Sequence, residues 1–424
     1  MPTPTRPART VLISGASIAG PALAHWLGRH GFRPTVVELA PALRPGGRAV
    51  DFRGETHLTV LDRMGILDEL RRSQTGGTTM TFVDADGREL LHLPASFAGG
   101  DIEVLRGDLS RILYASSLPT TEYVFGDSVT GLRETPTGVD VTFRHAPPRT
   151  FDLVIGADGL HSTVRRLAFG PERRYVRHLG YYAATWSLPL GPSPSPVPAP
   201  SPSPAPSPVP APATTGAPHT CATIGLNTPG RLAGVGTSPA DPTRAHAFFL
   251  FASPELRYDR ADPLPQKALV KRAFDGLPWR VPHLLDSLDA AEDLYFDSIS
   301  RADVGTWSTT GGRIALVGDA ACGATIGGMG TGTALVAAYV LATELARSPD
   351  DPRSALTRYE SLVRPYAERC QKGGDRTGPF LAPATAFGLR VRNTLLSRRR
   401  CLEWMLRQGR RAAALPLPPP LYRR

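Results

Sequence analysis

Residues 10–38 read TVLISGASIAGPALAHWLGRHGFRPTVVE, and this stretch decides the fold. Val11-Leu12-Ile13 has the pattern of a short buried strand ending at Gly15. Ile18 to Arg29 follows with helical spacing and is stopped by Gly31, and Thr35-Val36-Val37-Glu38 reads as a second strand. Strand, helix and strand form one βαβ unit. Its turn, Gly15-Ala16-Ser17-Ile18-Ala19-Gly20, matches GxGxxG except that Ser17 stands at the middle glycine. Glycines there permit a tight turn and close helix–strand packing, so that the helix N-terminus faces a pyrophosphate. The Ser17 hydroxyl adds a hydrogen-bonding group where the backbone approaches such a ligand. Glu38 closes the second strand, placed to accept hydrogen bonds from a ribose hydroxyl pair, and an acid here disfavours a 2′-phosphate. The expected ligand is the adenosine of FAD or NAD, not that of NADP. A purely structural turn is the competing reading. Strand, helix, strand and acid in register weigh against it.

Two more strand patterns run into glycine turns. Asp152 to Ile155 enters Gly156-Ala157-Asp158-Gly159-Leu160-His161-Ser162-Thr163-Val164-Arg165, which alone is equally an ordinary strand-to-helix turn with an Asp cap. Arg313 to Val317 enters Gly318-Asp319-Ala320-Ala321, then Gly327-Gly328-Met329-Gly330, then an Ala/Leu-rich helix over about 331–347. An Asp at such a strand end can bind the hydroxyls of a ribitol chain. A glycine-rich turn lets the next helix aim its positive end at a group that gains negative charge, such as the N1–C2=O edge of a reduced flavin.

In these three motifs and their order the sequence, over roughly residues 9 to 375, resembles the class A flavoprotein aromatic hydroxylases. That group contains para-hydroxybenzoate hydroxylase and the tetracycline-inactivating monooxygenases. The resemblance implies an α/β fold: a Rossmann-like FAD-binding domain of the para-hydroxybenzoate hydroxylase type, an inserted β-sheet substrate domain and a C-terminal helical region. It implies non-covalent FAD, NADPH or NADH as transient reductant, and O2 adding at flavin C4a to give a hydroperoxide that oxygenates an electron-rich aromatic or polycyclic substrate. Arg106 and Asp51 are implied flavin contacts, Asp158 is implied to help hold pyrophosphate, and Arg44 and Arg48 flank the loop that carries Asp51. Gly318, Asp319, Gly328, Met329 and Gly330 complete the implied cofactor set, with Phe296 and Met329 as pocket candidates or, equally, core residues. The loop Cys322-Gly323-Ala324-Thr325-Ile326 lacks the proline that family members often carry beside the flavin.

The expected FAD-binding domain comprises 1–75, 98–175 and 296–370. The substrate domain comprises 76–97, where TTMTFVDADGRELLHL reads as a β-hairpin turning at Asp86-Gly87, and 176–295. A C-terminal helical region with a basic, solvated tail covers 371–424. From Pro192 to Pro212 a proline occupies every even position. Such a run joins neither sheet nor helix, so 191–217 reads as a surface insertion within the substrate domain. Of 424 residues, 41% are hydrophobic, enough for a large core, and the net charge of +10 is carried mostly by arginine near the C-terminus. That pattern points to a solvated basic tail more than to nucleic acid. Four scattered cysteines show no metal-ligand spacing and fit a reducing compartment. No signal peptide or membrane span is visible, so the expected setting is the cytoplasm, as monomer or homodimer, with no nucleic-acid or membrane partner. No Ser/His/Asp constellation or HExxH suggests hydrolysis or zinc chemistry. Baeyer–Villiger oxygenation and a non-catalytic role sequestering a flavin or other ligand remain alternatives; a protein acting mainly through its Pro/Ser arm is a third. The tryptophans do not form the WxWxIP segment of the related halogenases.

Overall fold

The computed structural model describes residues 9–43, 49–189, 221–237, 243–325 and 329–421. Arg44, Arg48, Gly328 and the insertion 191–217 lie outside the described residues. At the centre is a five-stranded parallel sheet in the order Ile314–Leu316, Leu153–Gly156, Thr10–Ser14, Arg33–Glu38, Glu122–Phe125. The strands are apolar on both faces because helices cover both, as parallel sheets require. The helix Ala19–Arg29 packs against the sheet and against Gly330–Arg347, whose buried face runs almost all round. All three motif strands therefore lie side by side, and their glycine turns emerge together at the carboxyl edge of the sheet. That edge is where open α/β sheets bind ligands.

The hairpin Thr78–Val83 and Glu89–Leu93 does not join this sheet. It extends a seven-stranded sheet ordered Tyr295–Ala302, Val176–Pro189, Arg244–Ala252, Arg231–Thr237, Cys221–Thr228, Thr78–Val83, Glu89–Leu93. Every neighbouring pair in it is antiparallel except Cys221–Thr228 with Thr78–Val83. A boundary at 295/296 would cut the edge strand in two: its ladder to Val176–Pro189 runs on to Ala302.

Each face of this sheet has its own core. On one, Trp186, Phe249, Phe251 and Phe296 pack under the helices Pro263–Phe274 and Val281–Asp289. On the other, Phe82, Leu91, Tyr181, Leu250 and Ile299 meet Leu381, Leu396, Leu402 and Met405 of the C-terminal helices. A two-stranded ribbon, Ala49–Phe52 with Ile102–Leu105, lies in the first unit.

The chain beyond the last helix is not simply solvated. Thr56 Oγ1 accepts from the Leu415 amide at 2.9 Å, and the Tyr339 hydroxyl donates to the Pro418 carbonyl at 2.7 Å. Arg63 donates to the same carbonyl at 2.9 Å, while Leu415 and Leu417 pack on the first core. Leucine and proline, not arginine, make these contacts, so the net charge of the region hides them. Deleting residues 414–424 is expected to lower stability by about 2–4 kcal/mol, read by urea denaturation.

Candidate functional site

Gly15 has φ +107°, and a Cβ there would lie 2.6 Å from the Ala157 carbonyl oxygen of the neighbouring strand's turn. At Gly20 a Cβ would lie 1.9 Å from the Gly15 carbonyl oxygen. These contacts press the first helix down onto its own strand. The residue before that helix, Ile18, makes no side-chain cap, which leaves the helix start suited to an anion. The Glu38 carboxylate accepts from the Ala16 amide at 2.8 Å and the Ala40 amide at 2.9 Å, which fixes it at the rim of the turn. Ser17 is held from the other side: Arg106 Nη2 donates to its hydroxyl at 2.8 Å and the Ser110 hydroxyl to its carbonyl at 3.2 Å.

Asp158 is engaged within its own turn. It accepts from the Ser162 hydroxyl, from the Ser14 hydroxyl at 3.2 Å and from the Val164 amide at 3.0 Å. Burial raises its pKa, and these donors pull it back. Ser162 caps the short helix Thr163–Ala168, accepting from the Arg165 amide. The Arg165 side chain is fully buried and donates to the Leu160 carbonyl and, at 2.8 Å, to the Ala320 carbonyl. It thereby joins the second motif to the third.

Asp319 differs from both other acids of the motifs. Its carboxylate has no hydrogen-bond partner among the described residues, yet its neighbours dehydrate it enough to raise its pKa, with Arg106 as the charge opposing that shift. The residue is nonetheless exposed at the carboxyl edge of the sheet, so its carboxylate is open to a ligand. Gly330 begins the helix Gly330–Arg347 beside it: a Cβ there would lie 3.2 Å from Asp319 Oδ1. Met329 precedes that helix in the left-handed region (φ +51°), and the helix has no side-chain cap. Below this end the His57 ring fills the space a Gly332 side chain would need, receives the Arg53 amide on Nδ1 at 3.1 Å and meets the Tyr366 hydroxyl through Nε2 at 2.7 Å. Burial, with the Arg53 charge, lowers its pKa to about 4, so the ring is neutral near pH 7.

Asp51 lies on the ribbon whose other strand leads into Arg106, and it pairs with Arg53. Arg53 also donates to the Phe97 carbonyl at 2.7 Å, tying the ribbon to the second sheet. Gly15, Ser17, Ile18, Ala19, Gly20, Glu38, Arg106, Gly318, Asp319, Met329 and Gly330 thus converge on one end of the parallel sheet. Phe296 does not join them. It stacks on Tyr182 with centroids 5.3 Å apart and packs against Tyr258, in the core under the outer helices. Strand alternation puts its neighbour's side chain, not its own, on the opposite face.

A charged group that the motifs alone did not single out lies between the two sheets. His161 contacts Glu172 through Nδ1 and Asp297 through Nε2, both at 3.1 Å, and Arg260 reaches Glu172 at 3.3 Å. Burial alone would lower the His161 pKa, but the Asp297 and Glu172 carboxylates outweigh it and raise it to about 9. His161 follows the DG pair directly. That position was the available signal, although the partners are remote in sequence.

Uncapped helix ends over glycine turns, a rim carboxylate and a carboxylate with no partner among the described residues are the features a dinucleotide-binding flavoprotein site needs. FAD fits it: the close-approach glycines let a pyrophosphate reach backbone amides, and Asp319 offers acceptors that no group among the described residues uses. A family model described as FAD binding domain matches residues 8–175. An uncharacterized protein of Mycobacterium tuberculosis is 40% identical over 370 residues, 86% of this chain and 92% of that protein. A flavin-dependent monooxygenase of Legionella longbeachae is 33% identical over 86% of this chain and 87% of its own length. The crystal structure of the tetracycline destructase Tet(55) is 32% identical, with TM-score 0.77 over 96% of this chain and 98% of that one. The chain belongs to the class A FAD-dependent monooxygenases, and FAD is its cofactor.

Two outcomes test the site. Gly20→Val is expected to yield protein without bound FAD, read from its visible absorption, because the new side chain cannot share space with the Gly15 carbonyl. His161→Gln is expected to unfold more easily than the native chain below about pH 6.5, where the native imidazolium pairs fully with its carboxylates. The difference should shrink as pH rises through about 9 and vanish above it, because a folded-state pKa above the unfolded one stabilises only while the group is protonated. Thermal denaturation across that range is the measurement.

Proposed function

We propose that the protein uses NADPH or NADH and O2 to hydroxylate an aromatic or polyketide-like polycyclic molecule. Asp319 carries the reading: among the described residues no protein group pairs with its carboxylate, at the edge where the glycine turns emerge. Apolar side chains on and beside the seven-stranded sheet support it: Met80 and Phe248 on its strands and Phe97 and Phe380 on short helices are only half-buried, and Phe97 stacks on Phe380 at 5.7 Å. Such a surface suits a flat, weakly polar ring system. The similarity to tetracycline destructases supports a fused-ring substrate.

FAD, when bound, supplies the transfer of electrons from NAD(P)H and the activation of O2. This chain's residues bind and orient. The amides at the start of Ala19–Arg29 hold the pyrophosphate, and Glu38 receives the adenosine ribose. Asp158 serves as the brace that keeps its turn beside Ser14. Asp319 takes the ribityl hydroxyls and Arg106 screens it, while Asp51 and Arg53 hold the ribbon beside the ring system. The uncapped helix end at Gly330 would favour negative charge on a group bound before it. Met329 precedes that helix, and Phe296 only supports the sheet from behind. The nicotinamide nucleotide has no second βαβ unit here and binds transiently.

The test follows NADPH and NADH oxidation in air with candidate fused-ring phenols. A rise in rate on adding a candidate, with a product heavier by one oxygen atom, is the expected result. Oxidation indifferent to every candidate, with product mass unchanged, would overturn the reading. Asp319→Ala is expected to weaken FAD binding by roughly tenfold or more, a loss of one charge-assisted set of hydrogen bonds, read by titrating apoprotein with FAD.

A further inference from the structure

The C-terminal helices Ala386–Leu396 and Arg399–Ala412 present a face that none of the described residues covers. Their inward sides are settled. Arg392 donates to Asn227 Oδ1 at 2.6 Å and lies over the Phe82 ring, while Leu396, Leu402 and Met405 pack on the same core. Both outward sides therefore point away from the seven-stranded sheet. On the first helix Phe387, Val391 and Leu395, spaced by four, form an apolar ridge 77%, 40% and 48% exposed. On the second Trp404 is 58% exposed. Arginines border this ridge: residues 386–412 hold eight arginines and one glutamate, a net charge of +7 out of +10 for the whole chain. Arg390, Arg398, Arg399, Arg400, Arg407 and Arg411 are exposed.

We propose that this face docks peripherally on an anionic phospholipid bilayer, with Phe387, Val391, Leu395 and Trp404 entering the interface and the arginines meeting lipid phosphates. An apolar ridge with an aromatic belt and flanking cations is the arrangement of helices that lie in a membrane surface. No helix among the described residues is long and apolar enough to cross a membrane, so the association is with the surface alone. A second copy of the chain is a poorer occupant, because two such arginine-rich faces repel at contact. Nucleic acid would engage the arginines and leave the apolar ridge in water. Anionic lipid satisfies both halves of the face, and a weakly polar substrate would be concentrated in the same bilayer.

Flotation of the FAD-loaded protein with vesicles tests this. Binding is expected with phosphatidylglycerol mixed into phosphatidylcholine and not with phosphatidylcholine alone, and brominated lipid should quench tryptophan emission in the native chain but not in Trp404→Phe. Phe387→Ser with Val391→Ser and Leu395→Ser is expected to cut binding by at least about tenfold with FAD content and thermal unfolding unchanged. Replacing Arg398, Arg399 and Arg400 by Gln should weaken binding and flatten its salt dependence. No flotation with phosphatidylglycerol at low salt would overturn the proposal, as would a triple serine variant that floats as well as the native chain. So would a native dimer that the same variant converts to monomer, since the ridge would then be an interface between copies.

Discussion

At Arg165 a guanidinium with no solvent contact gives N–H groups to the Leu160 and Ala320 carbonyls. Burial alone favours loss of its charge, and Glu172 and Asp158 nearby oppose that. Its buried Nε–H finds no acceptor among the described residues, so these two carbonyls carry the compensation for burying the cation, and a shift of either would strand it further. The turn after Leu153–Gly156 and the turn after Ile314–Leu316 are therefore fixed relative to each other. Asp158 fixes the first of them to Ser14, and Gly318 lies against Ala19. Three ligand-facing turns become one rigid rim, with this arginine at its centre.

From that rim outward, charge and apolar surface are separated. The cofactor side carries Glu38, Asp319 and Arg106 around uncapped helix ends, and the opposing sheet offers mostly hydrocarbon. Two ties join them: Arg53 to the Phe97 carbonyl, and Thr325, whose hydroxyl accepts the Ser300 amide at 3.0 Å and lies 3.1 Å from the Ser298 carbonyl. The His161–Asp297 contact is a third, electrostatic tie. Such ties hold the cofactor side and the opposing sheet together.

Local signals made much of this legible. The βαβ unit, the hairpin at Asp86-Gly87 and the helix after Gly330 follow from periodicity and turn chemistry, and Gly15 and Gly20 occupy positions where backbone contact leaves no room for a side chain. Where partners are distant, sequence was silent. Phe296 sits in an alternating strand whose two faces are both covered, so alternation alone could not say which face meets the cofactor. His161 gains its charge from residues 11 and 136 positions away. The tail's return to Thr56 and Tyr339 runs through backbone carbonyls, which carry no residue-type signature.

The order of strands in the parallel sheet also bears on how the chain is made. Leu153–Gly156 lies inside that sheet, yet the strand that covers its outer edge, Ile314–Leu316, comes about 160 residues later. At translation rates of about 5–20 residues per second, that edge waits roughly 8–30 s beside the ribosome with its backbone groups unsatisfied. During that interval five of the seven strands of the second sheet are synthesised. The ribosome-bound chain therefore passes through a period in which a hydrophobic strand offers itself to any passing polypeptide, and chaperone engagement during synthesis would matter most between residues 156 and 314.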